Sequence, residues 1–219
     1  MNLTPDHFSA LNRAVRTILS STRASETYAQ IVDGLPTHDV YKDYYGWYRI
    51  DYETNLAPSK EATEIVATYR KVFDLGTISV DEKVPLPFSL TFAVEAVAQS
   101  YQKTSTNSTE FPLRLLQMAA IVCHDIAVYL YTEYDGGIRK SPLDFDPQVP
   151  VPRPPPGITL PPLPKMPRRP AELFHEFYMD WEHYPAGVAD LVGYWAEYQL
   201  FGGVVLFDPG ISKTKVCYS

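Results

Sequence analysis

The feature that most constrains this chain is where its prolines fall. Of 20 prolines in 219 residues, twelve lie between Pro142 and Pro170. Proline fixes φ and has no amide donor, so this stretch can be neither a helix interior nor a central strand. It must be polyproline II or irregular. Regular structure therefore has to come from the residues before it and the few after it. The helical patterns beyond it are too few to build a second core, so the expectation is one domain over 1–219. In it the proline segment 142–170 wraps the surface and the C-terminal helices pack back.

Apolar periodicity marks those helices. Thr4-Pro5 is a helix start, and Phe8, Leu11, Val15 and Ile18 follow at three- and four-residue spacing, predicting a helix over 5–20. Residues 24–33 form a second, stopped by Gly34 and Pro36. Ser59 caps a third over 60–73, with Ile65, Val66, Tyr69, Val72 and Phe73 as its stripe. Residues 84–88 read as extended, because each proline restricts the residue before it. Helices are expected over 89–102, from Pro112 to about Asp135-Gly136-Gly137, over 171–183 and over 186–201. Two strands are expected to pair: the aromatic run at 45–50 and Val204-Val205-Leu206-Phe207 within 203–207. The predicted class is mainly α (α+β), a helical core with a small two- or three-stranded sheet.

Composition removes several function classes. The net charge is −7, and the pI is near 5.2. No basic footprint covers the chain, which excludes nucleic acid as the main partner and disfavours an anionic membrane surface. The longest apolar run, Phe111 to Thr132, is interrupted by Arg114, Gln117, His124 and Asp125. A His-Asp pair in mid-span is expensive in lipid, so this run reads as a buried core helix. Cys123 and Cys217 are too few for a disulfide framework or a zinc ribbon. The N-terminus has no signal-peptide pattern, and a cytoplasmic protein is the economical expectation. There is no G-x-G-x-x-G, P-loop, G-x-S-x-G, H-E-x-x-H or Cys-x-x-Cys motif, and no cofactor is expected.

Four constellations could carry chemistry. The first is His124-Asp125. One reading is a buried acid/base pair with catalytic potential; the other is a satisfied core pair tying this helix to a neighbour. Tyr131 lies seven residues from His124 on the same face. The second is Glu176, Asp180 and His183, whose spacing puts three metal-ligand types on one helix face. The aromatic stripe Phe174, Phe177, Trp181 and Tyr184 on the opposite side would turn that trio to water, so no metal is expected. The third is the tyrosine-rich run 41–52. There Tyr44, Tyr45, Trp47 and Tyr48 could line a wall for a small organic ligand, or simply cover a helical core. The fourth is the proline segment. Leu163-Pro164-Lys165-Met166-Pro167-Arg168-Arg169 fits an SH3 ligand pattern, and Pro161-Pro162-Leu163-Pro164 fits a WW ligand. Pro161, Pro164, Pro167 and Arg169 would be the partner-binding residues. The alternative is a clamp whose cations meet an acidic body.

The C-terminal block carries one resemblance. Gly193-Tyr194-Trp195-Ala196-Glu197 through Gly202-Gly203-Val204-Val205-Leu206-Phe207-Asp208 resembles the tail of a group of uncharacterised proteins of filamentous fungi. The resemblance implies an intracellular protein and supplies no catalytic residues. Two functions follow as expectations: an interaction protein using its aromatic surface and proline segment, or an enzyme or carrier for a small organic molecule. The enzyme reading requires a closed pocket with His124 or Asp125 on its wall.

Overall fold

The computed structural model describes residues 3–40, 54–78, 88–139, 171–175 and 177–205. Its helices are α1 (Pro5–Leu19), α2 (Thr22–Asp33), α3 (Lys60–Val72), the single turn α4 (Leu75–Ile78), α5 (Phe88–Lys103), α6 (Phe111–Glu133) and α7 (Val188–Phe201).

Their starts follow from side-chain oxygens in the right place. Thr4, Ser21 and Ser59 have extended backbones, and their hydroxyls accept from the amides of His7, Ala24 and Ala62. Each satisfies a donor that the first helical turn leaves orphaned. Pro occupies the first turn of α1 and of α6, where a missing amide costs nothing. Gly34 and Gly202 close α2 and α7 in the left-handed conformation.

Helix α6 lies at the centre, packed on α1, α2, α5 and α7, while α2 also packs on α3 and α7. By length and composition α6 could cross a membrane. In the fold it buries Met118 through His124, with Ile126, Ala127 and Leu130, on several faces. One apolar cluster draws Leu11 and Val15 from α1, Tyr28 and Ile31 from α2, and Val66 from α3. Tyr101 from α5, Met118 and Ile126 from α6, and Trp195 from α7 complete it. Buried polar groups tie the edges. His7 Nε2 donates to the Thr104 carbonyl at 2.9 Å, its Nδ1 lies 2.7 Å from the Thr4 hydroxyl, and Tyr101 donates to the His7 carbonyl.

The ends of α2 and α6 meet backbone to backbone. The amides of Ile138 and Arg139 donate to the carbonyls of Val32 and Asp33 at 2.8 and 3.1 Å. A Cβ on Gly34 would lie 2.9 Å from Gly137 Cα, so both glycines, each at positive φ, allow a crossing that a side chain would block. Beside it the fully buried Asp33 accepts from the amide and hydroxyl of Ser59, both at 2.6 Å, with Arg139 3.6 Å away. Arg139 also donates to Asn55.

Three expectations need correction. The small sheet is not found: the described residues contain no strand. Residues 203–205 form no ladder, because the Val205 amide turns back to donate to the Glu197 carboxylate on α7. The proposed partner strand 45–50 lies outside the described residues. Over the described residues the class is mainly α, without the β component. Residues 171–183 are not a helix. They run irregularly to one short 3-10 turn, Trp181–His183. His175 Nδ1 accepts from the Phe177 amide and Trp181 N–H donates to the Met179 carbonyl, local bonds that replace the helical ladder. Finally, Phe88 belongs to α5 rather than to an extended run.

Candidate functional site

The site is built where α6 crosses α7. Along α7, Asp190, Gly193, Tyr194 and Glu197 recur at three- and four-residue spacing, which places them on one face. That face meets His124 of α6. His124 Nδ1 lies 2.8 Å from Glu197 Oε1 and Nε2 lies 3.2 Å from Asp190 Oδ1, all three side chains being buried. Each carboxylate is held by its second oxygen. Asp190 Oδ2 accepts from the Ala186 amide at 2.7 Å, and Glu197 Oε2 from the Val205 amide at 3.0 Å.

The fit depends on a missing side chain. A Cβ at Gly193 would lie 2.5 and 2.6 Å from Cε1 and Cδ2 of His124, and nearer still to Nε2. The imidazole thus lies flat against the α7 backbone. Tyr194 stands edge-on to it, centroids 4.8 Å apart. Tyr194 stacks on Tyr178 at 4.7 Å and meets Tyr184 at 5.1 Å. His175 packs against Tyr178 and Tyr198. This aromatic tier separates the clamp from the surface, where Phe177, Met179 and Trp181 are exposed, Phe177 at 79%.

Ionised carboxylates only accept, so an imidazole with one on each nitrogen must donate from both. His124 is therefore held as an imidazolium. Burial alone would lower its pKa. The hydrogen bonds of Asp190 and Glu197, with the charges of Glu197 and Asp125, outweigh burial and raise it to about 9. Asp125 is half-buried on the next position of α6. Burial pushes its carboxyl up to about 6; His124 pulls the other way, and Asp190 and Glu197 add to the rise. Burial likewise raises the Cys123 thiol to about 12.

Chemically the clamp is saturated. With both ring nitrogens donating, His124 has no lone pair for a base or a metal ligand. The second oxygens of Asp190 and Glu197 already hold backbone amides. The arrangement locks α6 to α7 and fixes the chain entering and leaving α7.

The other sequence-predicted residues fall elsewhere. Tyr131 is two turns, roughly 10 Å, along α6 from His124. It packs on the main core with its hydroxyl near Gly136. Tyr129 is half-exposed and stacks on Tyr69 at 5.8 Å. Asp180 and His183 are exposed on the irregular segment, and Glu176 lies outside the described residues. The helix that would have aligned this trio is absent. Among the described residues, no group of three metal-ligand side chains is arranged to hold an ion. Tyr44, Tyr45, Trp47 and Tyr48 lie outside the described residues, as do Pro161, Pro164, Pro167 and Arg169. Surface cavities of about 590 and 420 Å3 are lined by α1 and α3 residues, not by His124 or Asp125.

Sequence reasoning located His124 but missed Asp190, Gly193, Tyr194 and Glu197. A signal was there: two acidic residues seven apart on an apolar helix share a face and need a buried cation. No family model, curated protein or solved structure matches the chain.

Proposed function

We propose that the protein is an intracellular, non-catalytic interaction protein. Its partner is a domain with an aromatic, acid-flanked groove of the SH3 or WW kind, which takes the proline motif at 161–169. The observation that carries this reading is the saturation of the His124 clamp. The group best suited to acid/base chemistry has no free lone pair and does not line the cavities of about 590 and 420 Å3 on α1 and α3. The chemistry that remains is recognition. A polyproline II ligand has little ordering cost to bear, and Lys165, Arg168 and Arg169 suit an acidic groove. The strip Phe177, Met179 and Trp181, eight residues beyond Arg169, is exposed and apolar. In this reading it gives the same domain a second contact.

The test is a titration of the full chain against a panel of purified SH3 and WW domains. At least one should bind with micromolar affinity. Pro164→Ala with Pro167→Ala should abolish that binding, and Trp181→Ala should weaken it without loss of stability. Binding unchanged by the proline substitutions, or absent across both domain classes, overturns the reading. His124→Asn should lower stability and leave the affinity of the folded protein unchanged.

A further inference from the structure

The chain carries a net charge of −7, yet one cleft on it is lined only by neutral and cationic side chains. It runs between the outer face of α1 and the last turns of α3. One cavity, about 590 Å3, is bounded by Ser9, Asn12, Arg13, Arg16, Thr17 and Ser20. The adjoining one, about 420 Å3, shares Arg16 and Ser20 and adds Arg70, Lys71 and Phe73. Neither is lined by a carboxylate.

Three of the four cations have an ordinary explanation in part. Arg16 donates to the Phe73 carbonyl at 2.7 Å and to Asn12 Oδ1 at 3.2 Å, with its guanidinium 5.8 Å from the Phe73 ring centre. It thereby caps the end of α3. Those bonds use two of its five donors and hold the rest in a fixed fork. Lys71 and the half-buried Arg70, both in the last turn of α3, suit the helix dipole. Arg13 has no such role, and Arg13, Arg70 and Lys71 form no ion pair among the described residues. Four like charges around one cleft repel one another, and an anion between them removes that cost.

The donor set selects among anions. Thr17 and Ser20 turn their hydroxyl protons to carbonyls of α1, so the cleft's donors are the cations, the Asn12 amide and Ser9. Guanidinium forks pair with phosphoryl oxygens in two parallel bonds. Arg13 and Arg16, three apart on one face, stand about 5–6 Å apart at Cβ. Arg70 and Lys71 line the adjoining cavity, which Arg16 shares. Cations spread over two adjoining cavities, with Arg16 common to both, suit a ligand with two or more phosphoryl groups.

We infer that the α1–α3 cleft is a binding site for a polyphosphorylated small molecule, gripped by Arg13 and Arg16 in one cavity and by Arg70 and Lys71 in the adjoining one. The experiment is calorimetric titration of the full chain at about 50 mM salt, where surface charge is weakly screened. The probes are tripolyphosphate and inositol hexakisphosphate, with poly-glutamate as the control. A second arm measures sedimentation with phosphatidylcholine vesicles carrying phosphatidylinositol bisphosphate. Arg70→Gln with Lys71→Gln, and separately Arg13→Gln, should each weaken binding about tenfold or more, with unchanged circular dichroism. Arg16 is left intact because it caps α3. Binding to either soluble probe identifies a free ligand. Binding to the vesicles alone identifies a lipid headgroup bearing the same chemistry. No binding in either arm, equal binding of poly-glutamate, or binding indifferent to these substitutions overturns the inference.

Discussion

Adding one methyl group at Gly193 should have opposite effects depending on what occupies position 124. In the wild-type chain the new Cβ falls 2.5 Å from His124 Cε1, inside any real contact distance. The ring is buried and hydrogen-bonded on both sides, so it cannot yield without breaking with Asp190 or Glu197. Overpacking costs ~1–3 kcal/mol, and a hydrogen bond to a charged group contributes ~1.5–3 kcal/mol. Gly193→Ala should therefore destabilise by about 3–5 kcal/mol, a large share of the ~5–15 kcal/mol of a typical domain. Removing the ring reverses the argument. In a His124→Ala background the clash is gone, and Gly193 becomes an ordinary helix-interior glycine. Alanine is favoured there by ~0.8–1 kcal/mol. The second substitution should then stabilise, although His124→Ala itself costs about 3–5 kcal/mol by leaving buried carboxylates unpaired. The assay is equilibrium urea unfolding of the four proteins, with His124→Asn as a milder replacement that supplies the same comparison. If Gly193→Ala destabilises the ring-deleted background as much as the wild type, the contact with His124 is not why position 193 is glycine.

Stability should fall as pH rises. The folded pKa of His124 is raised from 6.5 to about 9, so its contribution is complete below pH 6.5 and is lost as pH passes through 9. The shift corresponds to roughly 3 kcal/mol. Urea midpoints between pH 6 and 10 should show a decline that His124→Gln flattens; a wild-type profile flat to pH 10 contradicts it. Asp125 acts in the same direction at lower pH. Its raised folded pKa of about 6 penalises the ionised form, so Asp125→Asn should gain stability at pH 7 relative to pH 4.5, and an equal effect at both would refute this. Cys123 is buried, with its thiol pushed up to about 12. Peptide mapping after brief iodoacetamide treatment should find it modified only in denaturant. Asp33→Ala should cost at least 2 kcal/mol by stripping the Ser59 amide and hydroxyl of their acceptor, about the penalty for a broken charged network; a loss under 0.5 kcal/mol in the same urea assay would refute that.

What the chain order reveals depends on how local the cause is. Thr4-Pro5, Ser59 and the glycine stops act within one helical turn, so helix starts and ends were legible to within a residue or two. The span 171–183 misled because Phe174, Phe177, Trp181 and Tyr184 mimic a helical stripe. In the fold Phe174 is buried and Phe177 exposed, and a His175 ring nitrogen takes the amide that a helix would need. Val204-Val205 has strand composition, yet composition does not show that a carboxylate eight residues earlier captures the amide. The clamp is the least local feature. Sixty-six residues separate His124 from Asp190, and only the packing of α6 on α7 brings them together.

The ends of the proline-bearing connection have a consequence for how much the chain needs to be one chain. Arg139 is bonded through its backbone to Asp33, and residues 171–175 are all buried. The chain is therefore anchored on both sides of the thirty-one residues between them. Halving such a connection changes its closure entropy by only ~0.6 kcal/mol. The contact that matters most across that gap, α6 against α7, is made by side chains on either side of it. A chain cut there would be a two-fragment assembly, with 1–139 and 171–219 held by the imidazolium and its two carboxylates.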